Sequence, residues 1–450
     1  RSITSDISRY PATNMASLSG TLSDYWRLAR ANRNFRRLWC AQIVSEMGDW
    51  FYAVAIYSLL LEFTGKASSV GIALVCQPLP QTFIGPMAGV INDRVSRKKV
   101  MIAADLSRVL IVGAMLLVRS RSMVWLVYPL LFLETIMWGF FEPARTAVLP
   151  NIAAKEDLIV ANTLQSTTWS ANFAMGALLG GLAAAFLGRP SVFVINAASF
   201  LVSALIISRM DFHESHTELH GPLRLREVVD FKPVADGIRY VRSDTRLLAT
   251  MMVKTGIGIM GASWVIFPVM GERIFPLRGH GLSGTRGGML SMSLLMASRG
   301  MGSLMGPLLA AGWAGQNQGR LRNLILIGLT VGGVGYMLLG AAPGLALACA
   351  AVMFAHMGGS NIWVSSTTLL QMNTDDRFRG RVFSADLSVL TLMMAISTFF
   401  AGRILDAGIS ARELAVGVGL TVMLPAAGWL WAQGLWKGSE YEASVGAGSQ

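Results

Sequence analysis

Gly89-Val90-Ile91-Asn92-Asp93-Arg94-Val95-Ser96-Arg97-Lys98-Lys99 is a short charged break between two apolar runs, 68–92 and 99–118. Each flanking run is about 20 residues, the length that crosses a bilayer as a helix. Ten further runs of that kind extend the pattern to both sides: 39–62, 123–146, 159–187, 190–209, 247–271, 286–312, 321–341, 344–371, 381–405 and 412–436. The composition agrees, with 53% hydrophobic and 14% charged residues and a mean hydropathy of +0.51. Soluble domains carry about a quarter charged residues, so a soluble enzyme is excluded. The 47 Gly, 25 Met and 12 Trp suit closely packed helices with interfacial aromatics. The expected fold is an all-α polytopic membrane protein with 12 transmembrane helices.

Lys and Arg set the expected orientation. Twenty-six of the 38 fall in residues 1–38, the 2–3, 4–5, 8–9 and 10–11 connections, the segment 209–246, and Lys437. Positive loops stay on the cytoplasmic side, so both termini are expected there. The net charge of +12 reflects topology and lipid headgroups rather than nucleic-acid binding. The long polar segment divides the chain into a cytoplasmic N-terminal segment (1–38), a first six-helix lobe (39–209), a cytoplasmic central loop (210–246), a second six-helix lobe (247–436) and a cytoplasmic tail (437–450). Two pseudo-symmetric lobes of this kind are how a secondary transporter is laid out. Leu225, Val228, Val229, Ile238 and Val241 recur at roughly helical spacing, which predicts an amphipathic surface helix in the central loop. Cys40, Cys76 and Cys349 lie in or beside apolar runs and read as packing residues. His213, His216 and His220 sit in a polar linker and read as solvated rather than metal-binding.

The opening stretch has a physical reading of its own. Gly89 permits close helix approach, Asp93 can cap a neighbouring helix N-terminus, and Arg97 can pair with a carboxylate. It resembles the loop 2–3 signature of the major facilitator superfamily, G-x-x-x-D-R-x-G-R-[KR], with Ser96 in place of the second glycine. Asn34-Phe35-Arg36-Arg37-Leu38-Trp39 with Gly48-Asp49, Pro143-Ala144-Arg145 with Leu149-Pro150 and Ala161-Asn162, Gly237-Ile238-Arg239-Tyr240-Val241-Arg242-Ser243-Asp244, and Arg379-Gly380-Arg381-Val382-Phe383 are similar to its drug:proton antiporter branch, which includes macrolide and siderophore exporters. That resemblance implies a conformational latch from Gly89, Asp93, Arg94, Arg97, Glu142 and Gly380, in which Arg97 pairs with Glu142 and Asp93 caps span 11 near Gly380. Asn172, Gly176, Gly180 and Gly181 stand at the positions of the superfamily's span 5 antiporter motif, with Asn172 for its first glycine and Ala177 for its proline. The resemblance also implies an arginine in span 4 near the antiport machinery, for which the sequence offers no evident equivalent.

Charges inside apolar spans are costly and mark candidate function. Gln42, Glu46 and Asp49 form one stripe of span 1. Asp49 falls roughly 16 Å into the membrane at 1.5 Å per residue, and Glu134 in span 4 reaches a similar depth. In the resembled fold, spans 1, 4, 7 and 10 line the central cavity. Mid-depth carboxylates there suit proton uptake, because low dielectric disfavours the charged form. They equally suit a cationic substrate or a structural hydrogen bond. Asp105 and Arg108, one turn apart in span 3, read as an ion pair. In the second half, Lys254 fits either snorkelling or a cavity role. Arg299, mid-span, calls for an acid across the lobe interface, and His356 and Asn361 sit on span 10. Met289, Met292, Met296 and Met301 along span 8 fit ordinary packing or a cavity lining.

The chain contains no G-x-x-x-x-G-K-[ST], H-E-x-x-H or G-x-S-x-G. The expectation is therefore a transporter and not an enzyme, with no cofactor and no metal, working as a monomer among membrane lipids. It would export a small amphipathic compound, drug-, macrolide- or siderophore-like, by proton antiport and alternating access across a bacterial inner membrane. A lysophospholipid flippase of the same superfamily and a non-transporting membrane sensor are the alternatives.

Overall fold

The computed structural model describes residues 18–154, 157–214, 239–279, 284–314, 317–374 and 376–447. The first lobe consists of spans 1 (Arg33–Thr64), 2 (Ala67–Cys76 and Pro78–Arg94), 3 (Arg97–Ala114), 4 (Val127–Ile152), 5 (Leu158–Leu187) and 6 (Arg189–Ser208). The second has spans 7 (Thr245–Met252, Lys254–Met260 and Ser263–Val269), 8 (Gly284–Ala314), 9 (Gln318–Ala341), 10 (Leu345–Asn373), 11 (Asp376–Asp406) and 12 (Ala411–Ala447). Among the described residues, nine helical stretches are long and apolar enough to cross a membrane by length and composition. The other three are span 1, which carries Glu46 and Asp49, the broken span 2, and span 8, rich in Gly and Ser and carrying Arg299. Apolar side chains such as Leu110, Leu308, Leu424 and Trp431 face outward, as lipid rather than water allows.

The two lobes repeat one packing scheme. Span 1 packs on spans 5 and 6, span 3 on 4 and 6, and span 2 on 4; span 7 packs on 11 and 12, span 9 on 10 and 12, and span 8 on 10. The second set is the first with six added to every number. The lobes meet where span 5 packs on span 8 and span 2 on span 11, a pair that the same shift interchanges. Close approach at the first of these seams needs glycine: a Cβ on Gly181 would lie 2.1 Å from Ser293 Oγ. At the end opposite the basic loops, Asp406 of span 11 accepts hydrogen bonds from the backbone N–H groups of Ala67 (2.8 Å) and Ser68 (3.1 Å), capping span 2 across the seam. Arg273 donates to the Gly65 carbonyl at 2.7 Å, tying the same corner to the second lobe.

Local chemistry explains where the helices start. The helix of span 1 begins ahead of the apolar run because Asn32 Oδ1 accepts from Phe35 N–H at 2.9 Å and Phe35 and Leu38 are buried. A further helix, Leu18–Ala31, precedes it within the segment that the sequence reads only as polar and basic; its Leu28 joins a core with Phe35 and Met101, and Arg27 pairs with Asp157. Ser96, where the resembled signature has glycine, is the N-cap of span 3, its Oγ accepting from Lys99 N–H at 3.3 Å. Glu214, at the end of the first lobe, accepts from Ser96 Oγ and from Arg97 N–H at 2.8 Å, placing a negative charge on that helix N-terminus. Span 7 is broken near Val253 and again at Gly261–Ala262, then loosens into a π turn over Met270–Ile274, following Gly256, Gly258, Gly261 and Pro268.

Of the predicted central-loop helix, Leu225, Val228, Val229 and Ile238 lie outside the described residues, as do His216 and His220. Val241 is buried with Leu247, Met251, Leu370 and Val382. Cys40, Cys76 and Cys349 are free and half-buried, and among the described residues no cluster of ligands could hold a metal.

Candidate functional site

The span 1 stripe faces span 5. Trp39 Nε1 donates to Thr168 Oγ1 at 2.8 Å, and one turn on, Gln42 Nε2 donates to the Gln165 carbonyl at 3.2 Å and to Glu46 Oε1 at 2.9 Å. Asn172 Nδ2 donates to Glu46 Oε2 at 3.0 Å. Glu46 is thus held by two neutral amides, one from each helix. Asn172 replaces a motif glycine and supplies one of them. The rest of the span 5 motif packs: a Cβ on Gly176 would lie 2.7 Å from Trp50 Cβ, and one on Gly180 would lie 2.5 Å from Phe51 Cα. Those two glycines let the helices approach closely enough for the amide–carboxylate contact.

Deeper in the same lobe, Arg108 is 1% exposed and pairs with Asp105, whose other oxygen accepts from Ser203 Oγ at 2.7 Å. Arg108 is sandwiched by Phe200 and Phe141, at 4.1 and 4.8 Å from the ring centroids, and reaches Asp49 at 3.9 Å. Asp105–Arg108 is the ion pair that the one-turn spacing predicts. Glu134 of span 4 is half-buried in the same lobe. A polar pocket within the lobe collects Gln42, Ser45, Glu46, Asp49, Arg108, Trp138, Phe141, Glu142 and Arg145.

Arg145 corrects the sequence reading. Pro143 makes Pro143-Ala144-Arg145 look like the start of a loop, yet the helix continues to Ile152, and Arg145 is 7% exposed inside span 4. Its Nε donates to Glu142 Oε2 at 2.9 Å and its Nη2 to Oε1. Span 4 therefore holds an arginine within the helix, and it lines the pocket of Glu46 and Asp49. The same bidentate contact corrects the expected Arg97–Glu142 pair. Glu142 takes Arg145, whereas Arg97 donates to the carbonyls of Asn92 (3.2 Å) and Ala147 (2.9 Å) and to Asn151 Oδ1 (3.4 Å). Arg97 therefore ties the start of span 3 to span 4 through the Ala147 carbonyl and Asn151. The helix of span 2 ends at Arg94, and Gly89, Asp93 and Gly380 lie on spans 2 and 11. The cap expected from Asp93 falls outside the described side chains.

In the second lobe Lys254 neither snorkels nor faces the cavity alone. It is buried in an ion pair with Asp386 of span 11, donates to Thr367 Oγ1 at 3.1 Å, and lies 4.4 Å from the Trp363 ring centroid. Asp386 went unnoticed in the sequence, although a carboxylate within an apolar run is the same signal that Asp49 gives. His356 is buried and bonded through Nε2 to Tyr336 OH at 3.1 Å, a helix–helix contact between spans 10 and 9. Asn361 is half-buried. Met289, Met292 and Met296 pack in the core, while Met301 is exposed. Arg299 has no acid across the interface among the described residues. Its Nη1 donates to Ser263 Oγ at 3.1 Å, and its guanidinium lies 4.0 Å over Trp264 and 5.7 Å from Phe173.

A family comparison fits this architecture: the profile of the Major Facilitator Superfamily matches residues 38–398. The chain belongs to that superfamily. It is a multi-pass membrane transporter and not an enzyme. Among curated relatives, Macrolide efflux protein A of Streptococcus pyogenes is 29% identical over 394 residues, covering 84% of this chain and 91% of that protein. The Putative bacilysin exporter BacE of Bacillus amyloliquefaciens is 26% identical over 387 residues, covering 84% of this chain and 90% of its own. Among solved structures, the nucleoside transporter NupG superposes with a TM-score of 0.68 at 10% identity, over 88% of this chain and 98% of that one. A POT family transporter in complex with 5-aminolevulinic acid gives 0.69 at 12% identity, over 88% and 95%. These two likenesses concern the fold.

Proposed function

We propose that the chain exports a small amphipathic compound from a bacterial cytoplasm by proton antiport, with both termini on the cytoplasmic side. Export is the direction carried by the names of the macrolide and bacilysin relatives. Coupling rests on one observation. Glu46 is held by Gln42 and Asn172, both neutral, and Gln42 Oε1 is a buried acceptor with no donor. A carboxylate held by amides can change protonation without stranding a partner charge. Once protonated, Glu46 becomes a donor, and Gln42 supplies the acceptor beside it. Asp49, one turn deeper, exchanges protons with the same pocket and is steadied by Arg108. Glu134 joins the group through that arginine's field. Alternating access then follows from rocking of the lobes about the span 5–8 and 2–11 seams, with the Asp406 cap holding the corner opposite the basic loops.

Everted membrane vesicles from an efflux-deficient host would test this, with erythromycin and ethidium as probes and an imposed proton gradient. The expected result is gradient-dependent accumulation of at least one probe, lost with Glu46→Gln and reduced with Asp49→Asn. Accumulation indifferent to the gradient would overturn the antiport reading.

A further inference from the structure

Trp50 of span 1 and Trp264 of span 7 stack across the lobe interface, with centroids 6.0 Å apart and planes within 4°. The two spans are related by the six-span shift, so the stack joins equivalent helices of the two lobes. Phe173 packs on both rings, 4.2 Å from Trp50 and 5.9 Å from Trp264, and Trp169 meets Trp50 edge-on at 5.9 Å. These four rings form a cluster between the lobes. It offers a planar apolar group the offset and edge-to-face contacts that aromatic rings favour.

The cluster also carries hydrogen-bond donors that lack acceptors. Arg299 lies over Trp264, and of its five N–H groups one is committed, to Ser263. Among the described residues no carboxylate pairs with it. Trp264 Nε1–H, in the ring that Arg299 covers, is buried with no acceptor. Asp49, the acid next to Trp50 in sequence, is turned into its own lobe toward Arg108. An arginine within a membrane span and an indole N–H, both short of acceptors and both beside one aromatic surface, are donors that an anionic oxygen would satisfy.

We infer that the Trp50–Trp264 cluster with Arg299 is the substrate subsite, and that it takes a planar aromatic compound bearing a carboxylate. The ring system occupies the aromatic surface. The carboxylate accepts from Arg299 and from Trp264 Nε1. This names the substrate class within the transport reading above and rests on it. It places the substrate's anionic end in the second lobe, apart from the proton-carrying acids of the first.

The test uses the purified full chain in lipid nanodiscs and three matched probes: anthracene-9-carboxylate, its methyl ester and 9-anthracenylmethylammonium. Binding is read by anthracene fluorescence anisotropy. The carboxylate is expected to bind about tenfold or more tightly than the other two, the worth of one charge-assisted hydrogen bond. Arg299→Met should erase that preference while leaving ester binding in place, Arg299→Lys should retain part of it, and Trp264→Leu should weaken all three. Equal binding of the three probes to the unaltered chain overturns the inference without need of any variant. So does a carboxylate preference that survives Arg299→Met. Gradient-driven movement of ethidium in the vesicle assay, with no carboxylate preference in nanodiscs, would sink this subsite and leave the antiport reading standing. A carboxylate preference without any gradient-driven flux would do the reverse.

Discussion

Spans 1 and 5 of the first lobe and spans 7 and 11 of the second occupy equivalent places, yet their buried polar contacts differ in kind. Between spans 1 and 5, Glu46 meets the neutral Asn172 at 3.0 Å. Between spans 7 and 11, Lys254 meets the charged Asp386. The first arrangement holds the acid with neutral amides, as the proposed proton exchange requires. The second is closed, because either partner neutralised alone would leave the other as an uncompensated buried charge. The scaffold is symmetric and the buried contacts are not: on the proposed antiport reading, the first lobe holds the titrating acid, while the second lobe buries a closed ion pair.

Breaking the locked pair should have the largest effect on stability. Lys254→Met is expected to cost about 3–5 kcal/mol by stranding Asp386, and Lys254→Met with Asp386→Leu should recover most of it. Thermal unfolding of the purified chain reads both, and a single variant as stable as the unaltered chain would remove the contrast. Gly180→Val comes next. A Cβ there would lie 2.5 Å from Phe51 Cα, so overpacking of the span 1–5 contact should cost about 1–3 kcal/mol and disturb coupling with it. Asn172→Leu sharpens the comparison from the other side. It removes one hydrogen bond to Glu46 while Gln42 remains, for about 1 kcal/mol of stability, yet the pH dependence of transport should shift because the acid's setting has changed. Ser96→Ala removes a helix cap for about 1 kcal/mol or less, with transport preserved apart from loosened docking of Glu214.

The membrane fold was legible because a bilayer demands long apolar helices, and the pattern of such runs survives any error at their ends. Glu46 and Asp49 were legible as costly groups in apolar surroundings, and Asn172 as a departure from the span 5 motif. Arg145 was not, because Pro143-Ala144-Arg145 reads with the 4–5 loop motif at the very end of the 123–146 run, whereas the helix continues to Ile152. Asp386 lies five residues beyond the basic Arg379–Arg381 stretch, which masks it in the sequence, although it is 3% exposed in the lobe interior. The Arg97–Glu142 pairing, expected as a latch of the outward-facing state, is not the contact Glu142 makes in this conformation. Glu142 has a nearer arginine one turn along its own helix, and sequence spacing alone does not rank a neighbour against a distant partner. Arg299 was flagged by its depth, but what surrounds it is aromatic, and ring geometry leaves no periodic trace in sequence.

The most direct test of the first lobe's role is proton movement in proteoliposomes containing the purified chain and a pH-sensitive dye. Erythromycin is added to one side, and the unaltered chain is compared with Glu46→Gln and with Lys254→Met/Asp386→Leu. The account predicts a substrate-dependent proton flux that disappears in Glu46→Gln and persists when the second-lobe pair is replaced. Proton flux undiminished by Glu46→Gln, or abolished only by loss of Lys254 and Asp386, would contradict it.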